Sequence, residues 1–168
     1  MIHVCSLARL HETVADSGAR HIVSLLDDAF YIERPRNVAA ENHLRLRIHD
    51  ISVPLDGYVL PEEEHIADLL EFVRGWDRRT PLVMHCFAGI SRSTASAFAS
   101  ACALAPHRDE AIIAQALRRA SPTATPNIRI VSLADRLLGR DGRMIAAIET
   151  IGRGAMAAEA VPFRLELE

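Results

Sequence analysis

Residues 81–94 read PLVMHCFAGISRST, an apolar run followed by a loop of small residues and the start of a helix. Pro81–His85 has the length and composition of a strand buried on both faces. Cys86–Ser91 is rich in small residues and predicts a tight loop, after which a helix runs from Arg92 until Pro106 ends it. Open α/β sheets bind their ligands at the carboxyl ends of their strands, so the site is expected at this loop.

Outward from this stretch, the apolar periodicity predicts alternating strands and helices. Three further segments have the character of strands: Ile2–Leu7, His21–Leu26 and His43–His49. Five further helices are predicted, at Leu10–Ala19, Pro61–Gly75, Glu110–Ala120, Asn127–Leu138 and from Asp141-Gly142 to about Ile151. A strand–helix–strand order implies parallel strands. The predicted fold class is α/β, with a four- to five-stranded, mostly parallel sheet flanked by helices. One domain is expected over residues 1–168, with 150–168 as a loosely packed tail.

Composition excludes several classes of protein. Hydrophobic residues make up 49% of the 168, which excludes a disordered chain, and no apolar run is long enough for a transmembrane helix. We expect no signal peptide and no membrane partner. The 19 basic residues are spread along the chain and the net charge is −3, so nucleic acid is not an expected partner. Three cysteines without a CxxC pair fit neither a disulfide scaffold nor a zinc site, and predict a cytoplasmic setting.

The predicted loop is suited to an anion. The backbone N–H groups of Phe87, Ala88, Gly89, Ile90 and Ser91, together with the N-terminus of the following helix, are expected to bind a tetrahedral oxyanion. The planar guanidinium of Arg92 can hold two phosphate oxygens at once. The same positive field favours the thiolate of Cys86, which would then accept a phosphoryl group. Ser93 is expected to donate a hydrogen bond to that sulfur, and His85 to orient the loop.

The sequence of the loop and of the residues next to it resembles the signature of a known protein family. His85–Ser93 resembles the HCxxGxxR[ST] signature of the cysteine-dependent protein tyrosine phosphatase superfamily, and the short chain is most similar to its compact, dual-specificity-like bacterial branch. The order of strands and helices over roughly residues 1–140 is compatible with that fold. The resemblance implies a protein-tyrosine or dual-specificity-type phosphatase, a phosphomonoester hydrolase that works through a cysteinyl-phosphate. It implies no cofactor and no metal, and its substrate would be a phosphorylated protein or a small phosphomonoester.

The resemblance also implies an aspartate that protonates the leaving oxygen, on a loop after the strand that precedes the cysteine. Asp50 follows the predicted His43–His49 strand and is preferred, because a strand end is held more firmly than a turn tip. Asp56 lies in an Asp-Gly turn and is the alternative. Asp28 is a distant third. Asn127 resembles a Pro-Asn pair that many dual-specificity-like enzymes carry, although a simple helix-start residue explains it equally well.

Alternative functions remain open at this point. A non-catalytic phosphate-binding module of the same fold usually lacks the cysteine or the arginine, and this chain has both. A phosphatase of a small phosphorylated metabolite would present the same dianion to the loop. Rhodanese-like sulfur transfer is disfavoured by the spacing from Cys86 to Arg92. The absence of lysine from the loop argues against a phosphoinositide substrate.

Overall fold

The structure, a computed structural model, describes residues 1–167. Its centre is a five-stranded sheet in the order β3-β2-β4-β1-β5. The strands are β1 (Ile2–Ser6), β2 (His21–Leu25), β3 (His43–Leu46), β4 (Leu82–Cys86) and β5 (Phe163–Leu165). The first four are parallel, whereas β5 pairs with β1 in the antiparallel direction. The predicted mixed α/β fold with a mostly parallel sheet is confirmed.

Helices cover both faces of the sheet. On one face α1 (Leu10–Ser17) packs in a small cluster with β2 and β4. The larger core lies on the other face, between the sheet and the remaining helices, which are α2 (Glu63–Gly75), α3 (Arg92–Leu104), α4 (Glu110–Ala120), α5 (Ile128–Leu137) and α6 (Arg143–Ile151). No helix within residues 1–167 is long and apolar enough to cross a membrane.

The central helix α3 fixes the position of the site. All residues from Arg92 to Cys102 are buried, and most of them are alanine or serine. Small side chains let the sheet and the neighbouring helices approach the backbone of α3 closely, while Phe98 fills the remaining space. Because α3 directly follows β4, its N-terminus is held at the carboxyl edge of the sheet. The end of β4 and the start of α3 therefore lie close together at this edge of the sheet.

Predicted and observed boundaries differ by up to three residues, and for two of them the structure shows the reason. Helix α2 begins at Glu63 and not at Pro61, because Glu62 and His65 form a capping box in which the Glu62 amide donates to His65 Nδ1 at 3.0 Å. Strand β3 ends at Leu46 and not at His49. The Ile48 amide turns back to the Leu46 carbonyl at 3.1 Å, which takes it out of the ladder.

The C-terminal part of the chain also differs from the prediction of a loosely packed tail over residues 150–168. Helix α6 continues to Ile151, and β5 adds an edge strand to the sheet in which Leu165 is 1% exposed. Between them, the Ala160 amide donates to the Ala88 carbonyl at 2.9 Å. Three residues are too few for a periodicity signal, so β5 could not be recognised from the sequence. Glu168, the last residue of the predicted tail, lies outside the described residues.

Candidate active site

The carbonyl groups of the loop between β4 and α3 accept hydrogen bonds from residues outside the loop. Four surrounding amides donate to them: Leu7 to Phe87 (3.1 Å), Ala160 to Ala88 (2.9 Å), Thr125 to Ile90 (2.9 Å) and Asn127 to Ser91 (3.3 Å). In the described part of the chain, no acceptor is bonded to the amides of residues 87–91. The carbonyls of the loop are thus already hydrogen-bonded, while its amides remain free to donate. Free backbone amides in such a loop are suited to binding an oxyanion.

Gly89 is required for this loop. Its φ of 74° lies in the left-handed region that favours glycine. A Cβ at this position would come within 2.8 Å of the Cys5 carbonyl carbon and 2.9 Å of the Ser6 amide nitrogen, both in β1. The loop therefore passes directly against the end of the neighbouring strand. Any side chain at Gly89 would displace the loop from the sheet edge.

Cys86 is the last residue of β4 and lies beneath the loop. Its side chain is 2% exposed, and its Sγ is 3.1 Å from the hydroxyl oxygen of Ser93 in the first turn of α3. A thiol at a helix N-terminus, beside a hydroxyl donor, is in the environment that stabilises a thiolate. The structure thus brings Cys86 and Ser93 together as the sequence suggested, while their chemical roles stay predictions.

Arg92 reaches across the sheet edge. Its side chain is 6% exposed, and Nη1 donates to the Ile48 carbonyl at 2.8 Å, which fixes the guanidinium against the segment after β3. Its Nε is buried, and among residues 1–167 it has no hydrogen-bond partner. A buried donor without an acceptor is costly, and a bound phosphate oxygen would satisfy it.

Of the candidate acids, the structure brings Asp50 to the loop. Asp50 Oδ1 accepts one hydrogen bond from the Ser91 hydroxyl at 2.7 Å and one from the side-chain nitrogen Nδ2 of Asn127 at 2.8 Å. Asp56 lies in an exposed turn and lines a separate groove. Asp28 is exposed and pairs with Arg47 at 3.3 Å. Of these three aspartates, Asp50 is therefore the one whose carboxylate contacts the loop.

Asn127 serves two purposes at once. Its side-chain oxygen caps α5 by accepting from the amides of Arg129 (3.0 Å) and Ile130 (3.2 Å). Its side-chain nitrogen holds Asp50, and its backbone amide holds the carbonyl of Ser91. The helix-start interpretation and the site interpretation of this residue are therefore compatible.

His85 makes contacts that the sequence did not predict. Its Nε2 is 2.6 Å from the hydroxyl oxygen of Ser24, and the same oxygen is 2.8 Å from Nε2 of His43. The three side chains thus form a hydrogen-bonded row across β4, β2 and β3. Ser24 and His85 are direct neighbours in the β2–β4 register, and this pairing cannot be read without the strand order. The row ties the residue before Cys86 to the rest of the sheet.

Burial of this row makes stability depend on pH. Burial, with the neighbouring His43, lowers the pKa of His85 to about 3, and burial lowers that of His43 to about 4. In the unfolded state both histidines take up protons near pH 6.5. Below that value the unfolded state therefore binds more protons than the folded state does. Stability is thus greatest above pH 6.5 and falls toward pH 4. From His85 alone we expect the free energy of unfolding to fall by about 1.4 kcal/mol for each pH unit below 6.5 in this range.

Urea titrations at pH 7 and pH 5 would measure this loss. The variant His43→Gln should show a shallower pH dependence of the unfolding free energy, while His11→Gln, which alters an exposed histidine on α1, should retain the wild-type slope. An identical slope in His43→Gln and wild type would contradict the assignment of acid sensitivity to the buried row.

Aromatic side chains border the loop on one side. Phe87 is 54% exposed, and its ring centroid lies 5.1 Å from that of Phe30. Tyr31, the next residue, is 86% exposed. Phe30 therefore packs against the loop, whereas Tyr31 is mostly exposed to solvent.

Comparison with known proteins agrees with this geometry. The family profile "Protein-tyrosine phosphatase" matches residues 50–121, a range that runs from Asp50 through the loop to the end of α4. No curated protein matches the chain in overall sequence. The matched range contains Cys86, Arg92 and Ser93, so the same residues carry both the motif and the geometry.

Solved phosphatases have a similar fold. Human DUSP28 is 18% identical, with a TM-score of 0.63 over 83% of this chain and 92% of its own. The Cydia pomonella PTP-2 phosphatase is 19% identical, with a TM-score of 0.62 over 80% of this chain and 84% of its own. PTPMT1, in a complex with PI(5)P, is 13% identical, with a TM-score of 0.61 over 83% and 91% of the two chains. At these identities the likeness concerns the fold, which is the compact, dual-specificity-like one. The family match over residues 50–121 and the shared fold together support the cysteine-dependent protein tyrosine phosphatase superfamily as the family of this chain.

Proposed function

We propose that this protein hydrolyses phosphomonoesters through a cysteinyl-phosphate, with Cys86 as the nucleophile. The observation that carries the proposal is the loop after Cys86, whose carbonyl groups accept hydrogen bonds from other parts of the chain and whose amides are free. The free amides, the N-terminus of α3 and the unsatisfied Nε of Arg92 all belong to the segment directly after Cys86, where we propose that a phosphate dianion binds. Together they place positive charge around the group that gains negative charge in the transition state.

In the first step, the Cys86 thiolate attacks phosphorus on the side opposite the ester oxygen. The S–P bond forms as the P–O bond breaks, and the leaving oxygen takes the proton of Asp50. Arg92 and the loop amides hold the three remaining oxygens of the phosphoryl group. Without proton donation an alkoxide or phenolate would have to depart unaided, and general acid catalysis is typically worth about 10²–10⁴-fold.

In the second step, water attacks phosphorus and the S–P bond breaks. The Asp50 carboxylate, now deprotonated, takes a proton from the attacking water, which leaves inorganic phosphate and the Cys86 thiolate. The Ser93 hydroxyl, 3.1 Å from the sulfur, donates to the departing thiolate and so makes it a better leaving group. The cycle returns every residue to its starting protonation state and needs no further reactant.

The substrate class we propose is a phosphorylated protein or a small phosphomonoester. Side chains beside the loop are in part aromatic, among them Phe87 at 54% exposure, and these suit the apolar body of a leaving group. The solved structure of PTPMT1 is that of a complex with PI(5)P. In this chain the loop holds no lysine to meet additional phosphates, which favours the protein or small-molecule class over a lipid.

A reducing, cytoplasmic setting fits the chemistry. Cys5, Cys86 and Cys102 are all free thiols. Catalysis by a thiolate requires that Cys86 remain reduced, and this is the normal state of cysteines in the cytoplasm.

Hydrolysis of para-nitrophenyl phosphate by the wild-type protein, with a chelator present, tests the proposal. We expect turnover with an optimum between about pH 5 and pH 8, and competitive inhibition by vanadate, which occupies the loop as a phosphate analogue. Phosphotyrosine and phosphoserine peptides, assayed in parallel, would define the protein specificity. Binding of vanadate without any turnover over this pH range would instead indicate a phosphate-binding module.

A further inference from the structure

Two grooves adjoin the loop, and both are lined by Arg153. A groove of about 700 Å³ lies between the segment after β3 and the start of α5, and its lining includes Val53, Leu55 and Ile128. A second groove, of about 320 Å³, lies on the side of the C-terminal segment, which we define as residues 152–162. The two share Asp50, Ser91, Thr125 and Arg153. Arg153 therefore lies beside the proposed acid, at the mouth of the candidate active site.

The backbone on both sides of Arg153 is fixed. The guanidinium of Arg118 donates to the carbonyls of Gly152 (2.7 Å) and Pro122 (2.8 Å), which joins the C-terminal segment to the loop before α5. On the other side, the Gly154 amide donates to the Thr125 hydroxyl at 3.0 Å. Ordering this segment has already been accomplished by folding, so an interaction made by Arg153 would cost little backbone entropy.

Gly154 shows how closely the segment is packed. A Cβ at this position would come within 2.4 Å of the Thr123 carbonyl carbon and 2.5 Å of its oxygen, so only glycine permits the observed path. The Ala155 amide then donates to the Pro122 carbonyl at 2.9 Å. A sequence without glycine here would lift Arg153 away from the grooves.

The guanidinium of Arg153 is unpaired in the described chain. Several other arginines have a carboxylate partner at or below 3.3 Å, namely Arg9, Arg47, Arg129, Arg136, Arg140, Arg143 and Arg164. No acceptor among residues 1–167 is bonded to the Arg153 side chain, which is exposed. Asp50 is the one carboxyl group that lines the two grooves, and its Oδ1 already accepts from Ser91 and Asn127.

We propose that Arg153 binds a second anionic group of the substrate, carried by the leaving group next to the scissile phosphate. The proposal rests on the phosphatase function proposed above and narrows its substrate class. The preferred substrates are phosphomonoesters whose leaving group combines an apolar part, bound between Val53, Leu55 and Ile128, with a nearby carboxylate or second phosphate. An acidic residue beside a phosphorylated side chain and a small bisphosphate both present this chemistry.

Paired substrates test the proposal. One pair is a phosphotyrosine peptide with glutamate or glutamine next to the phosphorylated residue, and the other is a small bisphosphate and its monophosphate analogue. For each pair we measure the ratio of kcat/KM between the charged and the neutral member. In the wild-type protein at low salt we expect a ratio of about 5 or more for one pair, decreasing as salt is added. The pair with the larger ratio identifies the source of the second anion.

Variants assign this preference to Arg153. The ratio should fall toward one in Arg153→Gln and below one in Arg153→Glu, whereas it should be retained in Arg119→Gln, which removes the same charge from an exposed position on α4. Because the ratio is taken within one variant, partial unfolding does not affect it. A wild-type ratio of one for both pairs, or an unchanged ratio in Arg153→Gln, would overturn the proposal. A wild-type protein that fails to hydrolyse para-nitrophenyl phosphate would instead overturn the proposed function.

Discussion

Replacing Cys86 with serine is expected to lower kcat for phosphomonoester hydrolysis by roughly 10⁶-fold, the scale seen when an enzyme loses its nucleophile. Serine fills nearly the same volume in this buried position, but its hydroxyl is not ionised near neutral pH, so phosphorus is not attacked. The loop amides and Arg92 are untouched by the substitution. The Cys86→Ser variant should therefore still bind vanadate or a phosphorylated peptide, as isothermal titration calorimetry would show.

Cys102→Ser is the matched control. Cys102 is a buried thiol on α3 whose pKa is raised to about 12, chiefly by burial, so it stays protonated and is not a nucleophile. The control has the same sulfur-to-oxygen change at another buried site and should retain activity wherever it remains folded, as circular dichroism would verify. Residual hydrolysis by Cys86→Ser within tenfold of wild type would show that the reaction uses another nucleophile.

Replacing Asp50 with asparagine is expected to lower kcat by about 10²–10⁴-fold. Asparagine can accept the same hydrogen bonds from Ser91 and Asn127, so the loop should keep its shape while the proton donor is lost. The effect should be larger for phenyl phosphate than for para-nitrophenyl phosphate, because the poorer leaving group depends more on protonation. The basic limb of the pH–rate profile, where activity falls as the acid loses its proton, should disappear.

Asp56→Asn serves as the comparison, since Asp56 is the other aspartate that the sequence suggested. It lies in an exposed turn and lines a groove with Tyr58, Glu62 and His65. Its substitution should leave kcat and the pH–rate profile close to those of wild type. If Asp56→Asn removes the basic limb and Asp50→Asn does not, the proton comes from a loop that moves when substrate binds.

The strand, loop and helix around Cys86 could be predicted from the sequence because local rules determine them. An apolar run, a glycine-containing loop and a helix ended by proline are signals that neighbouring residues provide. The same kind of reasoning favours Asp50 over Asp56, because a strand end is held more firmly than a turn. In the structure Asp50 indeed contacts the loop, although β3 ends several residues earlier than predicted.

The supports of the loop could not be predicted, because they come from distant parts of the chain. The amides of Leu7, Thr125 and Ala160 hold its carbonyls, and none of these residues carries a signal of its own. The row of Ser24, His43 and His85 depends on the order of β3, β2 and β4 in the sheet. Strand order is a tertiary property that the apolar pattern does not encode.

The most direct test of the account is to trap the covalent intermediate. Asp50→Asn, mixed with para-nitrophenyl phosphate, should form the cysteinyl-phosphate readily because this leaving group departs easily, and should hydrolyse it slowly because the base for water is missing. Rapid denaturation followed by mass spectrometry of the peptides should then find one phosphoryl group on Cys86. Turnover with a phosphoryl group on any other residue, or with no covalent species under these conditions, would contradict the central claim that the Cys86 sulfur accepts the phosphoryl group.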